Sequence, residues 1–372
     1  MKIIAFSNGS SYDTSTWSNV PYYFLKALEK SGEEVIRVNI KPFAKVKLIN
    51  HLLEKLIRIM KLGITYERTG FYNGIVKRKM LKAVKRNPDA NLLLTFDFSH
   101  SVANETKIKT LLLCDWDIKY LIEKIDRRTP TDKEKKLIEQ QSKIIDSADY
   151  AVSIFPKAYE EMKKTHKNMH YLGIPVNIDC PDFDIEEAQQ SRYQSKRLLF
   201  IGKGKYLSCA RELEKALKSF NSKNPKQKIY ADIIGMDESD TKISSEFITH
   251  HGYLNKNKPD EWATYNKLLK GAYFFINTTD NWVGASSILD TAYLGIPCII
   301  NPNEDLTETF GGNIDFGYLC NRNSAEKIEE ILNEIASLSF DEYKALSNKA
   351  HARVKDFTYD NYVRRIIQLI SD

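Results

Sequence analysis

"NWVGASSILDTAYLGIPCII", residues 281–300, follows an apolar run, "YFFINT", and contains four consecutive small residues, Gly284-Ala285-Ser286-Ser287. Small residues let a backbone come close to a ligand, and the N–H groups freed in a first helical turn attract an anion with help from the helix dipole. The apolar spacing of "SSILDTAYL" predicts a helix with Asp290 one turn in; Gly295-x-Pro297 ends it, and "PCIIN" predicts the next buried strand. Strand, anion-binding turn, helix and strand make one step of a parallel α/β sheet, whose ligands sit at the strand C-terminal ends.

The same step recurs on both sides. In the first half "KIIAF", "EVIRVNI", "NLLLTF", "TLLLC", "YAVSIF" and "MHYLGI" alternate with helical patterns such as "PYYFLKALEKSG". Such alternation implies parallel pairing through right-handed crossovers. A second series runs from "RLLFIGKGK" through "CARELEKALKSF", "YADIIG", "DEWATYNKLLKG" and "YFFINT" to "PCIIN", and amphipathic helical stretches follow Asn321. Between the two series, "VNIDCPDFDIEEAQQSRYQSK" loses periodicity and turns polar. The expected fold class is α/β with two Rossmann-like domains facing across a cleft. Residues 1–177 form the first domain, 178–195 a linker, 196–355 the second domain, and 356–372 a helix that crosses back to the first.

A chain of 372 residues suffices for two domains, each burying its own core. "MKIIAFSNGSS" reads as a strand entering a polar loop rather than a signal peptide, and no run of about 18 apolar residues offers a membrane span. The cysteines, Cys114, Cys180, Cys209, Cys298 and Cys320, are odd in number and lack C-x-x-C spacing, which argues against a disulfide framework or a zinc site and for a reducing cytoplasm. The net charge of +6 is uneven: residues 41–86 hold thirteen Lys or Arg against Glu54 and Glu67, so this segment carries +11 and the remainder −5. Within it, Leu48, Leu52, Leu56 and Ile59 recur at helical spacing among lysines. A basic amphipathic helix of this kind fits an anionic membrane surface. Nucleic acid is not expected as a partner, because aromatic interleaving and binding motifs are missing.

From "HHGYL" through "WATYNKLLKGAYFFINT", "GASSILDTAYLGIPCIIN", "GGNIDFGYLC", "SAEKIEEIL" and "FTYDNYVRRIIQLI", the second half resembles, segment by segment, the retaining glycosyltransferases of family 4. The resemblance implies the GT-B architecture and a nucleotide-diphosphate sugar as donor substrate, with no cofactor and no metal. It places the diphosphate at Gly284, Ala285, Ser286 and Ser287, with Lys203 and Lys205 of "GKGKYLS" paired to its oxygens. Arg211 is the alternative to Lys205. Asp290 matches the acid that accepts hydrogen bonds from the ribose hydroxyls, and Tyr253 falls beside the base. The chain departs from the family at the sugar: Asn281 stands where an acid is usual, one residue further from Asp290, and Asp280 is the neighbouring substitute.

In the first half the resemblance is in outline only. Gly9, in the loop after the first strand, is placed to approach phosphate, but Trp17-Ser18 stands where the family has paired glycines. "LLCDWDIKY" has Cys114 where relatives often show His, which leaves Asp115 as the polar group for catalysis; His100 is a further candidate. Asp115-Trp116-Asp117 is a metal-binding pattern of a different glycosyltransferase fold. The expected activity is transfer of a sugar to a carbohydrate or glycolipid acceptor, in cell-surface polysaccharide or glycolipid synthesis, by a cytoplasmic enzyme peripheral to the membrane. A sugar-nucleotide epimerase and a non-catalytic nucleotide-sugar binder are the alternatives.

Overall fold

The computed structural model describes residues 1–42, 55, 66–178, 183–280 and 285–371. The chain divides into two compact units: unit 1 comprises Met1–Ile174 and Tyr359–Asp372, and unit 2 comprises Pro175–Thr358.

Unit 1 contains strands β1 (Lys2–Ser7), β2 (Glu34–Asn39), β3 (Leu92–Thr95), β4 (Lys109–Cys114), β5 (Tyr150–Ser153) and β6 (Met169–Tyr171). They form one sheet in the order β2-β1-β3-β4-β5-β6, every pair parallel. The order reverses between β1 and β3, and the loops leaving those two strands diverge to opposite faces, which opens a crevice at their C-terminal ends. Helix α1 (Val20–Lys30) follows β1, α2 (Gly70–Arg86) precedes β3, α3 (Asp132–Ser147) precedes β5, and α4 (Pro156–Met162) precedes β6. Tyr72, Val76 and Met80 of α2 pack with Ile4, Phe6 and Leu93 to make one core cluster.

Unit 2 repeats the plan with β7 (Arg197–Ile201), β8 (Tyr230–Ile234), β9 (Ile248–His250), β10 (Phe274–Asn277), β11 (Cys298–Ile300) and β12 (Gly317–Leu319). The order is β12-β11-β10-β7-β8-β9, again parallel, with the reversal between β7 and β10. Residues 178–195, read above as a linker, contain helix α5 (Ile185–Ser195), which packs within unit 2. Further helices are α6 (Leu207–Lys223), α7 (Pro259–Gly271), α8 (Ser286–Tyr293), α9 (Glu304–Thr309), α10 (Ala325–Ser337) and α11 (Phe340–Val354). Its core joins Leu198, Phe200, Ile233 and Ile276 of the sheet to Leu213 and Leu217 of α6 and Ile328 and Leu332 of α10.

The last helix, α12 (Tyr359–Ser371), belongs to unit 1 and packs on α1. Tyr359 stacks on Tyr23 with ring centroids 5.8 Å apart, and Tyr362 meets Phe24 edge-on at 5.9 Å. Among the described residues no helix is long and apolar enough to cross a membrane.

Candidate functional site

In unit 2 the strand ends beside the β7/β10 reversal hold most of the expected residues. Gly202 leaves β7, Gly235 leaves β8 and Gly252 leaves β9, and their backbones lie against one another: Gly202 N–H donates to Ile234 O at 2.9 Å and Gly235 N–H to Gly252 O at 2.7 Å. Gly235 has φ +102, and a Cβ there would lie 2.5 Å from Gly202 O, so the approach of the three loops depends on a missing side chain. This contact brings Lys203 and Tyr253 together from different strands, with Nζ 4.4 Å from the ring centroid. Tyr253 is 55% exposed, an unusual position for a large aromatic ring and one suited to stacking on a ligand. Lys205 lies on the same turn, its ammonium 4.8 Å from the Tyr206 ring. Helix α6 then starts with no side-chain cap, so its first N–H groups are open to an anion.

Across the reversal, β10 leads into Thr278, Thr279 and Asp280, which neighbour Cys209 in the first turn of α6. Asp280 is exposed and accepts from Asn301 Nδ2 at 2.6 Å. Ser286 and Ser287 are half-buried in the first turn of α8, whose cap residue is Ala285 and which also lacks a side-chain cap. Ser286 is therefore inside the helix rather than its cap. Asn281 and Gly284 lie outside the described residues.

Asp290 is 3% exposed and accepts from Asn177 N–H at 2.7 Å. Burial pushes its carboxyl up to about 6, against the opposing pull of Lys256 and of that backbone N–H. Lys256 was not among the residues expected from the sequence. Its ammonium rests 4.3 Å from the Tyr265 ring centroid and 5.4 Å from that of Trp262, and burial lowers its pKa while Asp290 raises it. Lys203, Tyr253, Lys256 and Asp290 thus form a chain of neighbouring charges and rings at the C-terminal end of the sheet.

Gly9 and Asp115 belong to unit 1. Gly9, at φ +135, lies in a loop closed by Thr16 Oγ1–H donating to Ser10 O at 2.7 Å, and a Cβ at Gly9 would lie 2.9 Å from that Thr16 oxygen. The positions expected to carry paired glycines adopt the backbone that glycine would favour: Trp17 and Ser18 have φ 38 and 53, and Asn19 follows at 72. Each such non-glycine residue costs about 1–2 kcal/mol. Part of the compensation is visible, since Trp17 Nε1–H donates to Asp115 Oδ2 at 3.1 Å. Burial pushes the Asp115 carboxyl up to about 6, and the Trp17 bond pulls it down. Asp117 caps a helical turn through Tyr120 N–H at 2.6 Å. Burial raises the Cys114 thiol well above its ordinary value, which keeps it protonated and unlike the histidine whose place it takes.

At the β1/β3 reversal of unit 1 lies a cavity of about 460 Å³ lined by Asn8, Trp17, Arg68, Asn73, Phe96 and His100 among others. His100 is 8% exposed; its Nδ1 bonds Asp97 Oδ2 at 2.9 Å and its Nε2 bonds Asn73 Oδ1 at 3.1 Å. Burial alone would lower the His100 pKa, but the adjacent Asp97 carboxylate raises it.

No protein-family model and no curated protein matches the chain. Among solved structures, it is similar to a sucrose-phosphate synthase from Thermosynechococcus elongatus at 13% identity, covering 100% of this chain and 98% of that chain with a TM-score of 0.66. It is also similar to WaaG, a glycosyltransferase involved in lipopolysaccharide biosynthesis, at 11% identity, full coverage (100%) of both chains and a TM-score of 0.63. Anabaena HepE, solved in complex with UDP and glucose, gives 11% identity, 100% coverage of both chains and a TM-score of 0.63. The likeness at these identities is one of fold, and the fold is the two-unit α/β fold of GT-B glycosyltransferases.

Proposed function

We propose that the chain is a glycosyltransferase, moving a sugar from a nucleoside diphosphate to an acceptor hydroxyl with retention and without a metal. The observation that supports it most is the Lys203–Tyr253 pair at the β7/β10 reversal, where a cation and an exposed ring stand beside an uncapped helix start. A diphosphate leaving with its negative charge needs such cations and N–H groups. In this reading Lys203, Lys205 and the backbone at Ala285, Ser286 and Ser287 hold the diphosphate, Tyr253 the base and Asp290 the ribose. Asp280 or Asn281 meets the sugar, and Asp115 serves the acceptor side. The bond from the anomeric carbon to the diphosphate oxygen breaks, the acceptor oxygen bonds that carbon, and the hydroxyl proton leaves with the diphosphate.

Thermal stabilisation by a panel of nucleoside diphosphates and their sugars tests donor binding, because a ligand of the native state raises its stability by mass action. Turnover of the stabilising donor should then require an acceptor; rearrangement of the sugar with no acceptor present would make the protein an epimerase. Lys203→Ala should weaken nucleoside diphosphate binding by about 1.5–3 kcal/mol, roughly 10- to 150-fold in Kd, in a calorimetric titration. An unchanged affinity would remove Lys203 from the site.

The membrane reading has support on α2. Arg78, Lys82, Lys85 and Arg86 are exposed at helical spacing, and Phe71, 58% exposed, lies on the same face. The leucine pattern at 48–59 lies outside the described residues. Arg78→Glu with Lys82→Glu and Arg86→Glu should abolish sedimentation with vesicles containing anionic lipid at low salt while sparing nucleotide binding. Equal sedimentation with neutral vesicles, or none with either, would leave a solvated basic face and a soluble acceptor.

A further inference from the structure

We propose that the unit 1 cavity binds a sugar bearing an oxyanion, a carboxylate or a phosphate, and that the acceptor is therefore an acidic sugar. The word acceptor rests on the glycosyltransferase reading; the binding does not.

The position comes from topology. The cavity lies where the loops after β1 and β3 part, with Asn8 on the first and Phe96 to His100 on the second, the crevice in which an open parallel sheet takes its ligand. A volume of about 460 Å³ accommodates a monosaccharide with its substituent. Trp17 and Phe96, with ring centroids 6.1 Å apart at 59°, form an angled apolar wall against which the C–H face of a pyranose can lie.

The charge of the ligand follows from which ends of the amides remain available. Tyr72 O–H donates to Asn8 Oδ1 at 2.7 Å, so the Asn8 carbonyl is turned to Tyr72 and its NH2 is left to donate. His100 holds Asn73 in the same way: Asp97 only accepts, so Nδ1 carries a proton, and with Asn73 Oδ1 at Nε2 the second nitrogen donates too. The Asn73 NH2 is then also left to donate. Gln141 is consumed at both ends, accepting from Ile118 N–H at 2.6 Å and donating to Ser99 Oγ at 2.8 Å.

The acids of this wall are engaged as well. Asp97 accepts from Ser99 N–H, His100 N–H and the His100 ring, and Glu67 pairs with Lys41 at 3.8 Å. The lining also holds Gln140, which can donate or accept, and Glu67, whose charge Lys41 offsets in part; the inward-facing amides are weighted to donors, and the half-buried guanidinium of Arg68 adds a cation. A neutral sugar, whose hydroxyls both donate and accept, would leave such a set partly unmatched; a carboxylate or phosphate, which only accepts at several oxygens, matches it.

The full chain is titrated with glucuronate, glucose 6-phosphate, inorganic phosphate and glucose, each in the parent and in Lys203→Ala, so that anion binding in unit 2 is recognised and subtracted. We expect at least one acidic sugar to bind about tenfold or more tighter than both glucose and phosphate, the preferred one deciding between carboxylate and phosphate. Lys203→Ala should leave this affinity unchanged. Asn73→Asp keeps an oxygen for His100 but replaces the donor by a second carboxylate oxygen, and should remove the preference; Arg68→Gln, on a partly exposed side chain, should reduce it without disturbing the fold. Glucose binding as tightly as the acidic sugars, phosphate alone binding as tightly, or no binding of any of them at millimolar concentration would overturn the proposal. If acidic sugars bind but no donor supports transfer to them, the glycosyltransferase reading falls and the cavity assignment stands.

Discussion

Asp290→Asn stabilises unit 2 at neutral pH and weakens nucleotide-sugar binding in the same step. The carboxyl is buried, and its pKa lies at about 6 against an ordinary 3.8. A raised carboxyl favours the protonated acid in the folded state, so below about pH 3.8 there is no penalty. The penalty grows as pH rises through the interval and is complete above about 6. The interval corresponds to about 3 kcal/mol at its fullest. Asparagine keeps an oxygen for Asn177 N–H and carries no charge to bury, but it deprives Lys256 of its attraction. The expected gain is therefore about 1–3 kcal/mol at pH 7.5 and close to none at pH 3.5, read from urea midpoints at the two values. Binding moves the other way: a ribose hydroxyl donating to a neutral amide instead of a carboxylate should lose about 1.5–3 kcal/mol. A stability change independent of pH would mean that Asp290 is not strained by its charge. Stabilisation with unchanged donor affinity would remove it from the ribose.

Gly235→Ala should be among the most damaging single-atom-scale changes in unit 2. The new Cβ would stand 2.5 Å from Gly202 O, backbone against backbone, with φ at +102, where an L side chain is strained even in open space. Neither contact relaxes by rotating a side chain, so the strands must separate, at a cost of about 3–5 kcal/mol from overpacking and backbone strain together. Because Lys203 follows Gly202 directly, nucleoside diphosphate affinity should fall even in protein that remains folded. Gly204→Ala is the control: it lies two residues along the same turn, and a Cβ there has nothing within 4 Å. It should change the urea midpoint little. Equal behaviour of the two variants would show that the triple glycine contact does not hold the turn.

The fold was legible wherever burial is apolar. Among the described residues, ten strands lie in the largely apolar runs quoted above, with Arg37 inside β2; β9 and β12, three residues long like β6 and β11, form no such run in Ile248-Thr249-His250 and Gly317-Tyr318-Leu319. Helix α5 read as a linker because the residues it buries are polar: Gln189 and Arg192 are fully buried, bonded to Ser347, Asn348, Lys270 O and Leu294 O. Hydrophobic periodicity cannot register a helix anchored in this way. Lys203, Tyr253 and Asp290 were legible as residues after strand ends or at fixed places in a motif. Lys256 was not, because in "NKNK" it looks like any surface lysine, and only Trp262 and Tyr265, a helical turn and more away in sequence, set it among the candidate residues. The conformation of Trp17 and Ser18 was hidden for a related reason: positive φ is announced by glycine, and here tertiary contacts impose it on residues that disfavour it.

The return of α12 to unit 1 gives the two units different histories during synthesis. Unit 2 is one continuous stretch, Pro175–Thr358, and all of it leaves the ribosome before the helix that covers α1. Until then Tyr23 and Phe24 lack the partners Tyr359 and Tyr362, so the half made first is the half finished last. A nascent chain halted before residue 359 would hold a completed unit 2 and a unit 1 with an open apolar seam, which makes that seam the place for a chaperone to engage.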